Sequence, residues 1–114
     1  ILFADLLTEL CEKQCLNSIR TQLGSLSLPS IACLASQIVE ALTYLRSEFC
    51  IHCDIKPENC YVTRDNVVKL GDFGSARHKD DQFIVNYNKV LPYYNGTLSY
   101  MSPDALCGTK LTYA

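Results

Sequence analysis

The chain has 114 residues, a net charge of −2 and 48% apolar residues, which fits one small domain or part of a larger one and argues against a disordered tail. The weak negative charge gives no indication of a basic surface for nucleic acid or anionic membrane. We find no apolar run near the roughly 18 to 20 residues that cross a bilayer, and no signal-peptide pattern at the start.

Seven cysteines are scattered along the chain, at positions 11, 15, 33, 50, 53, 60 and 107. We interpret them as free thiols that act as small apolar side chains in a reducing compartment, so we expect an intracellular protein, cytoplasmic or nuclear. The Cys50-x-x-Cys53 pair is a candidate for metal or redox chemistry. A structural zinc site needs four ligands, however, and no second pair follows at zinc-finger spacing.

The first quarter of the chain predicts short elements. Residues 1–8, ILFADLLT, predict two short buried strands, and residues 9–14, ELCEKQ, predict a connector. Residues 16–23 predict a short helix, because apolar residues recur there at spacings of three and four. Gly24 is suited to end that helix.

Residues 28–49 carry the strongest periodic pattern and predict a long helix. Ser27 can cap its start, and Pro29 falls in the first turn, where a missing N–H is harmless. The apolar residues step by four and three along one face: Ile31, Ala35, Ile38, Leu42, Leu45 and Phe49. The polar residues that we expect mainly away from that face are Gln37, Glu40, Thr43 and Ser47.

The sequence pattern changes after residue 50, where short β-type runs begin. Residues 60–63, CYVT, and 67–70, VVKL, flank the turn-forming residues 64–66 and predict a β-hairpin. Residues 71–104 then show little periodicity, and so long an irregular segment is uncommon unless it is functional or mobile.

The predicted hairpin brings two polar clusters to one place. Its first strand follows residues 54–59, and its second strand precedes residues 71–74. Because paired antiparallel strands place these ends side by side, Asp54, Lys56 and Asn59 can meet Asp72 in one small volume.

These four side chains have the chemistry that phosphoryl transfer requires. Asn59 and Asp72 offer the hard oxygen ligands that Mg²⁺ prefers. Lys56 offers a positive charge for a phosphate oxygen, and Asp54 can accept a proton or orient a hydroxyl. Positioning and charge neutralisation supply most of the catalysis in such reactions. Taken alone, residues 54–59 could also form an ordinary solvated turn, because Pro, Asn and Asp are common turn residues.

Three motifs give the chain a resemblance to protein kinases. HCDIKPEN at 52–59 resembles the kinase catalytic loop, and 72–74 matches the DFG motif. GTLSYMSPD at 96–104 resembles the end of an activation segment, where the family usually has A-P-E. The helix at 28–49 is similar to the one before the catalytic loop, and ELC at 9–11 stands where the hinge between the two lobes would be.

The resemblance implies an α+β fold, namely a partial protein-kinase-like fold: a mostly helical C-lobe portion with short β-hairpins. It implies that residues 1–114 are part of a kinase domain, a hinge and C-lobe fragment from which the N-lobe and lower C-lobe are absent. The Gly-rich loop and the lysine of the N-lobe would then precede residue 1. We therefore expect this piece alone to be inactive and to expose apolar surfaces that favour aggregation.

The resemblance also implies roles for individual residues. Asp54 would be the catalytic base facing the substrate hydroxyl, and Lys56 would steady the transferred phosphate. Asn59 and Asp72 would hold Mg²⁺.

Nucleotide binding would use the hinge. The backbone of Glu9 and Cys11 would bond adenine, with Thr8 behind it at the gatekeeper position. Lys56, two residues after the catalytic aspartate, and the Gly-Thr pair at 96–97 are similar to the serine/threonine branch, and Thr97 would lie near Asp54 and Lys56.

The function that this resemblance implies is ATP- and Mg²⁺-dependent phosphoryl transfer to serine or threonine hydroxyls of a protein substrate. We expect no nucleic-acid or membrane partner. The alternative is a pseudokinase-like scaffold that binds partners through its C-lobe. A third possibility is a small cysteine-rich metal protein.

Two residues before the catalytic aspartate need separate interpretation. His52 adjoins an apolar run, so we interpret it as a buried histidine that supports the loop. Cys53 stands where most kinases of this kind have arginine, whose charge commonly pairs with a phosphorylated residue of the activation segment. A thiol cannot form that pair, so we expect activity that does not depend on such a clamp.

Overall fold

The computed structural model describes residues 5–78 and 96–107 of the chain. Its helices and strands, in chain order, are α1 (Leu16–Leu23), α2 (Leu28–Ser47), β1 (Cys50–Ile51), β2 (Cys60–Val62), β3 (Val68–Leu70), β4 (Arg77–His78) and α3 (Pro103–Leu106). Within the described ranges, β2 pairs with β3 and β1 pairs with β4, both antiparallel. These helices and small antiparallel sheets are compatible with the partial α+β fold expected from the sequence.

The short helix α1 has the predicted bounds. Its end is set by Gly24, which adopts a left-handed φ of 77° and donates its N–H to the Arg20 carbonyl at 2.9 Å. Glycine takes that conformation without the steric cost of a β-carbon. The apolar pattern therefore predicted the helix, and the glycine predicted where it stops.

The long helix α2 begins as predicted and ends earlier than predicted. The Ser27 hydroxyl accepts a hydrogen bond from the Ser30 N–H at 3.3 Å, which caps the first turn, and Pro29 lies in that turn. The helix stops at Ser47, so the prediction that it reaches Phe49 is wrong. Phe49 has a φ of 54°, which a right-handed helix cannot contain.

Gln37 contradicts the expectation that it points away from the packed face of α2. Its side-chain oxygen accepts from the N–H of Val68 at 2.9 Å, and its Nε2 donates to the carbonyl of Asn66 at 3.2 Å. A backbone N–H at the outer edge of a strand needs a partner when it is buried. The amide of Gln37 supplies that partner and holds α2 against the hairpin.

The β2–β3 hairpin contains most of the buried core. Its register pairs Cys60 with Leu70, Tyr61 with Lys69, and Val62 with Val68. Cys60 and Val62 on β2 and Val68 on β3 are buried, whereas Tyr61 between them is not. This alternation is expected for a ribbon with one covered face.

Asn66 shapes the turn of the hairpin. It adopts a left-handed φ of 64°, which asparagine tolerates better than most residues, and its N–H donates to the Thr63 carbonyl at 3.1 Å. The turn predicted at 64–66 is therefore confirmed.

The strands predicted within residues 1–8 are not formed in the part that is described. Residues 5–8 contain no strand and are exposed, with Leu6 and Leu7 at 90% and 97% of full exposure. Residues 1–4 lie outside the described ranges. A short apolar run becomes a strand only where a second strand completes its hydrogen bonds, and residues 5–8 pair with no strand of the described chain.

The connector at 9–14 contains no helix or strand, as predicted, yet its backbone bonds to the hairpin. The Lys13 N–H donates to the Val62 carbonyl at 3.1 Å, and the Val62 N–H donates to the Gln14 carbonyl at 2.8 Å. A bridge between Cys15 and Tyr61 continues this antiparallel contact. The connector thus runs along the outer edge of β2.

The surface of α2 leaves many apolar side chains exposed. None of its residues falls in the buried class, and Leu28, Val39 and Tyr44 are largely exposed. By length and composition alone, this 20-residue helix is apolar enough to cross a bilayer, contrary to our expectation from the sequence. Core helices of soluble proteins, which are mostly buried, and signal sequences satisfy the same two criteria, and none of this window is buried in the described structure.

We expect Gln37→Leu to destabilise the protein by about 1 to 3 kcal/mol, because a leucine of similar size leaves the buried Val68 N–H without its acceptor. Urea unfolding measures this change. Gln22→Leu, at an exposed position of α1, is the matched control and should be nearly neutral. Equal destabilisation by the two substitutions would mean that the Gln37 bonds contribute nothing.

Candidate active site

The carboxylate of Asp54 is the centre of the site. Oδ1 accepts from the Thr97 N–H at 2.8 Å and from the Thr97 hydroxyl at 2.9 Å. Oδ2 lies 3.0 Å from both the Lys56 Nζ and the Asn59 Nδ2. One carboxylate therefore joins the loop between β1 and β2 to a segment more than 40 positions farther along the chain.

The Thr97 hydroxyl lies between a cation and an anion. It accepts from the Lys56 Nζ at 2.7 Å and donates to Asp54. A lysine has no acceptor and a carboxylate has no donor, so the direction of these bonds is fixed. The arrangement holds a side-chain hydroxyl with its proton directed at the Asp54 carboxylate.

The electrostatics of the loop follow from these contacts. Burial alone would raise the pKa of Asp54, but hydrogen bonds from Lys56 and Thr97 outweigh that effect and lower it. The same hydrogen bond to Asp54 is the main cause of a raised pKa at Lys56. The nearby carboxylates of Glu58 and Asp72 add to that increase. The carboxylate and the ammonium thus both keep their charge at neutral pH.

His52 is a buried structural residue, as the sequence predicted. It is 2% exposed, its Nδ1 accepts from the Asp54 N–H at 3.3 Å, and its Nε2 lies 2.9 Å from the Gly71 carbonyl. Since one nitrogen accepts from an amide and the other faces a carbonyl, the ring carries its proton on Nε2. Phe73 packs on the ring, with centroids 4.8 Å apart. His52 therefore connects the loop at 54 to the segment at 71–73.

The two ends of the hairpin meet at this loop. The Gly71 N–H donates to the Asn59 carbonyl at 2.9 Å, which extends the β2–β3 ladder by one bond. Asp72 comes directly after, with a left-handed φ of 57° and an exposed carboxylate that accepts from the Gly74 N–H at 3.4 Å. The antiparallel argument from the sequence thus placed Asp72 next to the Asn59 end of the ribbon.

The candidate magnesium ligands differ in their surroundings. The Asn59 side chain is buried, and its Nδ2 donates to both the carbonyl and the Oδ2 of Asp54 at 2.9 and 3.0 Å. Of its two amide atoms, the oxygen is therefore the one that can bind a cation. Asp72 offers a carboxylate to solvent. Within 5–78 and 96–107, no three His, Cys, Asp or Glu side chains gather into a metal-binding group.

Gly96 allows Thr97 to reach Asp54. It has a φ of 128°, and a β-carbon built on it would lie 2.5 Å from the Cys53 carbonyl oxygen. The two backbones thus approach too closely for any other residue. The 96–97 motif identified the pair from the sequence, but the close approach is visible only in the structure.

The proposed hinge residues lie away from this cluster. Thr8 and Glu9 are exposed and Cys11 is half-buried. Glu9 forms an ion pair with Lys69 of β3 at 3.4 Å. In the described ranges, no hydrogen bond joins these three residues to the Asp54 carboxylate.

Cys53 adds no charge to the loop. Its thiol donates to the Ile51 carbonyl at 3.5 Å, and burial raises its pKa, so that the thiol stays neutral.

The neighbouring β1 pairs with β4, and this places Cys50 opposite His78 and Ile51 opposite Arg77. This pairing was missed from the sequence, because strands of two residues have no detectable period.

The sequence matches the protein kinase domain family over residues 3–114, and the chain belongs to that family. It is similar to cyclin-dependent kinase-like 1 of Caenorhabditis elegans, with 38% identity over 103 residues, 90% of this chain and 28% of that protein. It is 30% identical to serine/threonine-protein kinase mos of Apteryx australis over 88 residues, 77% of this chain and 43% of that protein. It is 36% identical to fibroblast growth factor receptor 1 of Pleurodeles waltl over 94 residues, 81% of this chain and 11% of that protein. The chain spans less than half the length of each relative.

We expect Gly96→Ala to destabilise the protein by about 2 to 4 kcal/mol, because it combines a strained positive φ with a clash against the Cys53 carbonyl. Gly24→Ala is the matched control. Gly24 also has a positive φ, but a β-carbon there meets nothing within 4 Å, so about 1 kcal/mol is expected. Equal losses in urea unfolding would exclude the close approach as the cause.

We expect Lys56→Met to raise the pKa of Asp54, because burial remains while its charged hydrogen-bond partner is lost. NMR titration of the Asp54 carboxyl measures this, with Lys69→Met as the control. In the wild type, the ionised Asp54 carboxylate stabilises the folded state fully above the ordinary aspartate pKa of about 3.9. This stabilisation is lost as the pH falls through the lowered pKa that Asp54 has in the folded state. If Asp54 titrates at the same pH in Lys56→Met, the hydrogen bonds from Thr97 alone lower the pKa of Asp54.

Proposed function

We propose that this chain supplies the catalytic loop of a protein kinase that transfers the γ-phosphoryl group of ATP to serine or threonine hydroxyls of a protein. The observation that carries the proposal is the Thr97 hydroxyl held between Lys56 and Asp54. A substrate hydroxyl of the same kind, placed beside Asp54, would find the same acceptor and the same cation.

The proposed step uses these two residues in different ways. The substrate oxygen attacks the γ-phosphorus, its proton passes to Asp54, and the bond from that phosphorus to the bridging oxygen of ADP breaks. The lowered pKa of Asp54 keeps it ionised and able to accept the proton near neutral pH. Lys56 keeps its charge and would balance the negative charge of the phosphoryl group in transit.

Asn59 and Asp72 are the residues that we propose for holding Mg²⁺. An amide oxygen and a carboxylate at one end of the hairpin fit a hard cation that takes its remaining ligands from phosphates and water. The ion, when bound, would neutralise phosphate charge. The hydrogen bonds from Asn59 to Asp54 mean that the same residue would also orient the base.

The acceptor, the nucleotide contacts and the cellular location are also proposals. The names of the similar proteins include serine/threonine kinases and a growth factor receptor, so the names do not identify the acceptor residue. We propose serine and threonine as acceptors because of Lys56 and Thr97. We propose the backbone of Glu9 and Cys11 for adenine and Thr8 for the gatekeeper. Seven free cysteines favour an intracellular location, cytoplasmic or nuclear.

The protein at its full natural length provides the test. We expect it to label myelin basic protein from γ-labelled ATP with Mg²⁺ and to yield phosphoserine or phosphothreonine. Asp54→Asn should lower the rate by at least about a hundredfold, the smallest effect usual for loss of a general base. Asp65→Asn, at an exposed position of the hairpin turn, removes the same charge and should leave the rate unchanged.

Each alternative has its own outcome in this assay. Nucleotide binding without transfer would support a pseudokinase-like scaffold and overturn the catalytic proposal. Phosphotyrosine as the sole product would overturn the choice of acceptor.

Treatment with a phosphatase before the assay should leave the rate unchanged, because Cys53 has no charge with which to bind a phosphate. Loss of activity after that treatment would refute independence from a phosphate clamp.

A further inference from the structure

The segment proposed to bind adenine forms few contacts that would hold it in place. Residues 5–10 are exposed and belong to no helix or strand. Glu9 meets the hairpin through its ion pair with Lys69, which is solvent-exposed and therefore weak. The position of this segment relative to Asn59 and Asp72 must therefore depend on what holds the connector just after it.

Two adjacent side chains of the connector bind the turn of the hairpin. The Glu12 carboxylate accepts from the Arg64 backbone N–H at 3.0 Å, and its other oxygen lies 3.9 Å from the Arg64 Nε. The Lys13 Nζ donates to the Asn66 Oδ1 at 2.6 Å. These contacts are exposed, as the Glu9 ion pair is, but they join two neighbouring residues of the connector to one turn and add to the backbone bonds at Lys13 and Gln14.

The turn at 64–66 is itself fixed from the other side. Gln37 of α2 donates to the Asn66 carbonyl and accepts from the Val68 N–H. The Asn66 side chain is thus attached to the connector while its backbone is attached to α2. The backbone bonds between Lys13, Gln14 and Val62 complete the contact along β2. A turn that is hydrogen-bonded on two sides therefore sets where the connector lies.

We propose that Glu12 and Lys13 are positioning residues that fix the nucleotide-binding segment relative to the catalytic end of the hairpin. Their loss weakens the binding of ATP and leaves the rate of transfer at saturating ATP unchanged, because neither side chain contacts Asp54, Lys56 or Thr97. This inference rests on the proposed function, since it needs adenine to bind at Glu9 and Cys11.

The test uses the full-length protein and a fluorescent N-methylanthraniloyl derivative of ATP with Mg²⁺. We expect Glu12→Ala and Lys13→Ala each to raise its Kd about three- to tenfold, the range for one ordinary hydrogen bond in an exposed position, and to leave kcat within about twofold. Glu12→Gln keeps an acceptor for the Arg64 N–H and should restore most of the affinity. Glu48→Ala and Arg20→Ala make the same charge changes at exposed positions of the helical region and should leave the Kd unchanged.

The outcomes separate this inference from the proposed function. A wild-type protein that does not bind the nucleotide overturns both. Wild-type binding with an unchanged Kd in Glu12→Ala and Lys13→Ala overturns the inference alone. A fall in kcat equal to the loss of affinity, or no rescue by Glu12→Gln, also contradicts it, because a general loss of structure would give that result.

Discussion

The structure of the site depends on one carboxylate. Asp54 accepts hydrogen bonds from the backbone and side chain of Thr97, from Asn59 and from Lys56. These donors come from three parts of the chain, so the loop, the start of the hairpin and the segment at 96–97 keep their places together. An ionised carboxylate can accept several strong bonds at once, whereas an unpaired one would be costly at this depth. Removing its charge would loosen all three parts.

The local elements and the meeting of the polar clusters were predictable from the sequence. Apolar spacing and Gly24 defined α1, and the turn formers at 64–66 defined the hairpin. The position of Asp72 beside the Asn59 end followed from antiparallel pairing alone. Such features depend on neighbours in the chain or on one paired strand, which a sequence pattern records. The roles proposed for these residues in phosphoryl transfer came from the resemblance to protein kinases.

Features that depend on contacts between distant elements were not predictable. The apolar stripe continued to Phe49, but that residue adopts a conformation that ends the helix. Gln37 was expected to face solvent, because nothing local indicates that a strand edge needs its amide. Residues 5–8 have the composition of a strand and no strand partner in the described structure. The position of Thr97 near Asp54 and Lys56 was expected from the resemblance, whereas the close approach of Gly96 to the Cys53 carbonyl is visible only in the folded chain.

The left-handed backbone at Cys53 has a consequence for substitutions at that position. A φ of 67° is unfavourable for any residue with a β-carbon, by about 1 to 2 kcal/mol. The conformation is imposed by the flanking residues, since His52 and Asp54 are both held by hydrogen bonds to other segments. The bonds that hold the main chain here are made mainly by the neighbours of position 53, and the Cys53 thiol adds one weak contact to the Ile51 carbonyl at 3.5 Å. A substitution at position 53 that keeps a β-carbon would therefore meet the same backbone strain, while the bonds from His52 and Asp54 would still hold this loop in place.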